Sequence, residues 1–271
     1  MSSWWPIACV LVATSIAMLF GWLIQRRTRN AGIVDAIWAG CMGASALFYA
    51  TVGNGSLIAR LGVAMLGGAW GFRLCMHILA RLLSESEDGR YRYLREHWRD
   101  SQGKFFGFFQ AQAVLTALFS LPFYAVAQNM KEGLTRWCVI GLSIWAVSLA
   151  GEAIADWQLA RWRHDPKNRG HTCRSGLWRY SRHPNYFFEW MHWFTYVFLA
   201  IGTPIGIWSL SLLGPVLMLV SLCWITGIPF VEAQALRSRG EDYREYQRTT
   251  SAFVPWFPKS RGEGRGARNE R

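Results

Sequence analysis

The chain has 271 residues, 52% of them apolar and 17% charged, with 16 Trp and a net charge of +12. Soluble domains carry roughly 25% charged residues, so this composition argues against an ordinary soluble fold. In a soluble protein the basic excess would suggest a nucleic-acid partner; here it sorts by loop, which excludes that partner and points to membrane topology and contact with anionic lipid.

In chain order, apolar segments long enough to span a bilayer fall near 4–24, 31–51, 57–80, 108–127, 135–155, 187–202 and 207–228. The first is too long for a signal-peptide core and lacks a basic start. Arg26 and Arg27 follow it, as suits a retained anchor. The expected fold is therefore all-α, a polytopic membrane protein with about seven transmembrane helices forming one domain over 1–258. Residues 259–271 are Gly-rich and charged and are expected to form a disordered tail. Lys and Arg collect in 25–30, 81–107, 156–186 and the region after 229, whereas the opposite loops hold only Lys131 and Arg136. The positive-inside rule then places the N-terminus outside and the C-terminus in the cytoplasm. Short outer loops and the absence of an organelle signal point to a bacterial inner membrane. The six cysteines are scattered without a CxxC pair, so neither a zinc site nor a disulfide framework is expected.

Five constellations carry potential chemistry. Asp35 lies four residues into the second segment with Trp38 one turn on; it suits a proton donor or carbonyl-polarising group, or a partner for Arg29 or Arg73. Arg73, His77 and Arg81 are spaced i,i+4 in the third segment, and Arg73 lies deep enough to need a partner. The following stretch 87–93 is dense in donors and rings and reads either as a cofactor-contacting loop or as a solvated one. Glu152, Asp156 and Arg163 share one helical face at the end of the fifth segment. They suit a ribose and a phosphate, or an interfacial ion-pair network. Arg182-His183-Pro184-Asn185-Tyr186 opens a helix with Pro in its first turn, an arrangement that offers an anion site or a capped helix start. Asn185 and Glu189, again i,i+4, suit a planar carboxamide. Beyond the last span, Glu232 and the run Glu241 to Tyr246 lead into Phe253-Val254-Pro255-Trp256, an interfacial segment with aromatics at the membrane surface.

The order Asp156, Arg163, Arg182-His183-Pro184-Asn185-Tyr186, Glu189, then Glu232, Glu241-Asp242-Tyr243, Tyr246 and Phe253-Val254-Pro255 resembles the membrane steroid 5-alpha-reductase superfamily. With Asp35-Ala-Ile-Trp38 and Trp70-Gly-Phe-Arg73-Leu74, it is most similar to the bacterial branch of undefined function, DUF1295, over roughly 30–258. Sterol reductases and isoprenylcysteine carboxyl methyltransferases share close versions of the 179–189 motif. The resemblance implies a seven-span helical enzyme with a cytosol-open NADPH pocket, passing hydride to the activated C=C bond of a lipid-borne enone. It implies that Asp156, Arg163, Asn185 and Glu189 hold the cofactor; Arg182, His183, Tyr186 and Tyr243, beside them in the sequence motifs, complete the candidate cofactor-binding set. Arg73 would lie near its phosphates or nicotinamide side. The candidate catalytic residues are Arg73 and Asp35, the latter as a proton donor because an apolar setting favours its neutral form. Two departures stand out: Phe188 replaces the usual Gly before the motif's last acid, and Trp70 stands where a ketone-polarising Tyr is usual. The expected partners are a steroid- or isoprenoid-like substrate and membrane lipids, with no obligate protein partner. The rival reading is an S-adenosylmethionine-dependent membrane methyltransferase of the isoprenylcysteine or phospholipid type, its sulfonium held by Glu189, Glu232 and tyrosines. A third is a non-catalytic lipid-binding protein.

Overall fold

Every regular element among the described residues is helical. The computed structural model describes residues 4–84, 86–225 and 227–259. Helix α1 (Trp5–Thr28) starts with Pro6 in its first turn, where the missing amide costs nothing. It stops at Arg29, whose backbone is left-handed (φ 57) and whose N–H closes on the Gln25 carbonyl. Then follow α2 (Ile33–Val52), α3 (Leu57–Ser84), α4 (Gly89–His97), α5 (Gln102–Ala127) and α6 (Arg136–His164). The remaining helices are shorter: α7 (Pro184–His192), α8 (Phe194–Leu199), α9 (Ile205–Trp208), α10 (Leu213–Val220), α11 (Ile228–Arg239) and α12 (Glu241–Thr249). By length and composition, α1, α2, α3, α5, α6 and the broken run Ile205–Arg239 can each cross a membrane.

Among the described residues that makes six membrane-length stretches where the sequence predicts seven. The expected sixth span, 187–202, is instead α7 and α8 with a turn at Trp193, whose N–H reaches the Trp190 carbonyl at 3.2 Å. The backbone at Trp193 stays helical (φ −66, ψ −24), so α7 and α8 together run from Pro184 to Leu199, which at 1.5 Å per residue is about 24 Å, short of a bilayer core of about 30 Å. The last stretch is likewise interrupted, by a 3₁₀ turn at Ser209–Leu212 and a π turn at Ser221–Ile225 ahead of Gly227. The region 81–107, expected as a loop, contains α4. The tail from 260 onward lies outside the described residues.

The chain divides into two compact units, residues 1–141 with 196–214, and 142–195 with 215–271. In the first unit α2 packs most extensively on α3, and α1 on α5. Gly43 and Gly71 let α2 and α3 touch backbone to backbone, since a Cβ on Gly71 would lie 2.5 Å from the Gly43 nitrogen. Small residues at a helix crossing are how membrane helices gain close packing without a hydrophobic drive. At one end of this unit an ion-pair network fastens α4. Arg95, 13% exposed, binds Glu87 at 2.8 Å and Asp100 at 2.7 Å and donates to the Arg29 carbonyl. Asp88 caps α4 by accepting from the Arg90 N–H at 2.9 Å.

In the second unit, α7 begins with Pro184 in its first turn, as expected. The segment 250–259 straps across the start of α7. Ser181 donates to the Phe253 carbonyl, Arg182 N–H to Ser251, and Trp256 N–H to Tyr180. Val254, Trp256 and Phe257 stay exposed along this strap, the surface expected of aromatics at a membrane interface.

Candidate functional site

The second unit holds most of the predicted site residues. Helix α6 runs unbroken to His164, so Glu152, Asp156 and Arg163 do lie on one helix. Asn185, in the first turn of α7, donates from Nδ2 to Asp156 Oδ1 at 3.0 Å. Glu189, one turn on, lies within electrostatic reach of Glu152 and Asp156. Helices α6 and α7 thus run antiparallel with 156 opposite 185 and 152 opposite 189. The same register places Phe188 against Gly151, where an added Cβ would lie 2.4 Å from the ring. The bulk that departs from the family pattern at 188 is therefore accommodated by a missing side chain on the facing helix.

Arg182 and His183 sit beside this pair in a buried polar hub. The Arg182 guanidinium, 11% exposed, binds Glu232 Oε1 at 2.7 Å and the carbonyls of Thr250 and Gln247 at 2.7 and 3.0 Å. His183 Nε2 meets the same Glu232 oxygen at 3.2 Å, and its ring stacks on Tyr186. Gln247 donates to the other Glu232 oxygen at 2.7 Å. Tyr243 is buried against this hub and hydrogen-bonds Glu232; burial, with that carboxylate beside it, pushes its phenol well above the ordinary value. The amides at the start of α7 are engaged as well, His183 N–H by the Ser181 hydroxyl at 3.1 Å and Tyr186 N–H by Asn185 Oδ1 at 3.0 Å. Arg182 and His183 consequently tie α7 to α11, α12 and the strap, rather than facing outward as an anion site.

A cationic cavity lies instead where α6 ends. A cavity of about 260 Å³ is lined by Trp162, Arg163, Arg169, His171, Ser238 and Arg239, among others. The loop 165–171 that shapes it is folded locally. Asp165 caps its 3₁₀ turn, Asn168 Nδ2 donates back to the Trp162 carbonyl at 2.9 Å, and Gly170 turns the chain with φ 79. Its far end is pinned to α12, where Asp242 accepts from Thr172 N–H at 2.7 Å and pairs with Arg174 at 3.0 Å. Among the described residues no carboxylate lies within salt-bridge distance of Arg163, Arg169 or Arg239, and the buried Trp162 Nε1 has no hydrogen-bond partner. Three guanidinium groups and an imidazole around one cavity form a donor set suited to a phosphate.

Two predicted residues belong to the first unit. Asp35 accepts from Tyr91 OH at 2.7 Å and pairs with Arg90 at 3.2 Å, so its partners come from α4 rather than being Arg29 or Arg73. Arg73 lies at the protein surface on α3. Sequence reasoning passed over Arg169, His171, Arg239 and Trp162, because their convergence depends on a loop fold and on α6 and α11 lining one cavity, which no local spacing reveals. The clustering of Arg and His just after Arg163 was the one available signal.

These features describe an all-helical, polytopic membrane protein with a polar site in its second unit. The chain belongs to the DUF1295 family, described as a protein of unknown function, whose pattern it matches over residues 21–250. No curated protein and no solved structure matches it.

Proposed function

We propose that the protein is an NADPH-dependent membrane oxidoreductase that reduces the activated C=C bond of a lipid-like enone, steroid- or isoprenoid-like in character. The observation that carries this reading is the cationic cavity at the end of α6, in the same unit as the Asp156–Asn185 pair. A cavity of about 260 Å³ takes one phosphate-bearing end of a dinucleotide. Arg163, Arg169 and Arg239 would neutralise the phosphate. Asp156 and Glu189 would accept from ribose hydroxyls or a carboxamide, with Asn185 holding Asp156 in place. Bound NADPH would supply the hydride. Tyr186, stacked on His183, and Tyr243, bonded to Glu232, would keep the hub that positions Asn185 rigid. Asp35, in the first unit, would be the proton donor because an apolar setting favours its neutral carboxyl, and Arg73 would lie near the cofactor by the family resemblance; Asp35→Asn with unchanged turnover would remove the former. On this reading the chain is a member of the steroid 5-alpha-reductase superfamily in a bacterial inner membrane, with its C-terminus and basic loops cytoplasmic.

One observation favours the S-adenosylmethionine reading, namely the three acids Glu152, Asp156 and Glu189 near one another, which suit a sulfonium. The arginines around the neighbouring cavity suit the charge of a phosphate better. The deciding experiment supplies 4-deuterated NADPH with an enone lipid to the detergent-purified protein. Deuterium at the product's β-carbon supports the reductase. Methyl transfer from S-adenosylmethionine, with no deuterium incorporated, overturns it.

A further inference from the structure

Helix α6 has an exposed face away from the residues that line the cationic cavity. Val147, Ala150, Ile154, Trp157, Arg161 and His164 follow one another at alternating steps of three and four residues, which sets them in one stripe along the helix, and all of them are exposed. Val147, Ile154 and Trp157 are 54%, 47% and 58% exposed. The stripe is apolar as far as Trp157 and cationic from the next turn on. At 1.5 Å per residue the 29 residues of α6 measure about 43 Å, against about 30 Å for a hydrocarbon core and about 40–45 Å for a bilayer with its headgroups. Its last turns therefore leave the hydrocarbon, and Trp157 falls near the membrane–water boundary that indole rings favour. An open groove of about 540 Å³ lies at this end, lined by Trp157, Ala160, Arg161, His164, Asp165 and Pro166. The Arg161 guanidinium stands over the Trp157 ring, 5.4 Å from its centre, so the charge is held at the mouth of the groove. Among the described residues no carboxylate lies within salt-bridge distance of Arg161 or His164. Asp165 accepts from the Lys167 N–H at 3.0 Å through one carboxylate oxygen. Arg163 lines the other cavity, so α6 presents its cations on two separate faces.

We propose that this groove binds the headgroup of an anionic phospholipid. Arg161 and His164 donate to the phosphate oxygens, Trp157 packs on the glycerol backbone, and an acyl chain lies along Ile154, Ala150 and Val147. The second oxygen of Asp165 accepts from a headgroup hydroxyl, of the kind phosphatidylglycerol carries. The stripe itself selects the occupant. Its apolar length needs hydrocarbon and its cationic end needs an anion, and a phospholipid brings both at the matching depths. Free phosphate would leave the apolar stripe uncovered. A second copy of the chain, held in the same orientation by the membrane, would set Arg161 against Arg161 across a two-fold interface. The groove shares no residue with the cationic cavity, so this inference is independent of which cofactor the protein binds.

The test is photo-crosslinking of the full chain in mixed micelles. A phosphatidylglycerol bearing a diazirine near its headgroup is irradiated with the protein, and adducts are located by peptide mass spectrometry. Adducts on residues 157–166 are expected, displaced by excess unlabelled phosphatidylglycerol but left in place by phosphatidylcholine and by inorganic phosphate. Arg161→Gln/His164→Gln should lower the yield at these residues roughly fivefold or more, as loss of cationic contacts at a membrane surface implies. Both side chains are exposed, so the Tm of the double variant should stay unchanged. Arg161→Lys, which keeps the charge, should retain most of the yield. Displacement by phosphatidylcholine equal to that by phosphatidylglycerol shows ordinary boundary lipid, and displacement by inorganic phosphate shows a free-anion site; either overturns the proposal. A yield unchanged in the double variant overturns it too, as does a dimeric protein that carries no adduct on this face.

Discussion

If Arg182 is a structural latch, Arg182→Met will destabilise the fold far more than it weakens cofactor binding. The guanidinium and the Glu232 carboxylate are 11% and 14% exposed and meet at 2.7 Å. The guanidinium also donates to two backbone carbonyls, and His183 and Gln247 share the same carboxylate. Breaking a buried pair from one side leaves a charge uncompensated and costs about 3–5 kcal/mol. Here His183 and Gln247 remain on Glu232, so the lower end of that range is expected. Glu232→Gln should cost less, because the amide keeps one acceptor for Arg182. The double variant Arg182→Met/Glu232→Met should cost less than the sum of the two methionine variants by about 0.5–3 kcal/mol, as expected for groups in one network. The assay is thermal unfolding in detergent, with limited proteolysis of the 250–259 strap as a local readout, since three of its carbonyls accept from Ser181, Arg182 N–H and the Arg182 side chain. An unchanged Tm together with a tenfold loss of NADPH affinity would refute the latch and restore Arg182 to the anion site.

Three further predictions follow from the same geometry. Gly151→Ala drives a methyl into the Phe188 ring, 2.4 Å away, and should cost about 1–3 kcal/mol by overpacking; pairing it with Phe188→Leu should recover most of the loss in a Tm measurement. Arg163→Ala and Arg239→Ala each remove a charged donor from the cationic cavity and should weaken NADPH binding by about 1.5–3 kcal/mol without lowering Tm, as read by calorimetry. Asp88 is raised by burial but held by the Arg90 hydrogen bonds and charge, with Arg81 further off, below its ordinary value of 3.8, and Asp100 is likewise held low by Arg95 and Arg29. Because the folded values are depressed, these groups stabilise α4 above about pH 4 and the effect is lost as pH falls through them. Hydrogen exchange across 88–100 should rise on acidification in that window and flatten in Asp88→Asn.

How much of this was legible in the sequence depends on the range of the interaction. The face shared by Asp156 and Arg163 follows from helical spacing, and Pro184 marks a helix start wherever it falls, so both emerge as expected. The apolar run 187–202 misleads because hydropathy does not register the turn at Trp193 or the burial of His192. Arg182 looks like an anion binder until Glu232, fifty residues later, is brought against it. Asp35 finds Arg90 and Tyr91 only because a helix forms inside a basic stretch that composition alone marks as loop. The cationic cavity needs Arg163 and Arg239 from separate helices together with a loop turned by Gly170. Conversely, Phe188 looks out of pattern in sequence and is explained once Gly151 is seen across from it.

The central claim is that the second unit binds a phosphorylated dinucleotide. Thermal unfolding of the detergent-purified protein with NADPH, NADH or S-adenosylmethionine tests it most directly, because a ligand at a hundredfold excess over its Kd stabilises the bound fold by about 2.7 kcal/mol. The account predicts a rise in Tm with NADPH that is lost in Arg163→Ala and Arg239→Ala. Stabilisation by S-adenosylmethionine alone would contradict it.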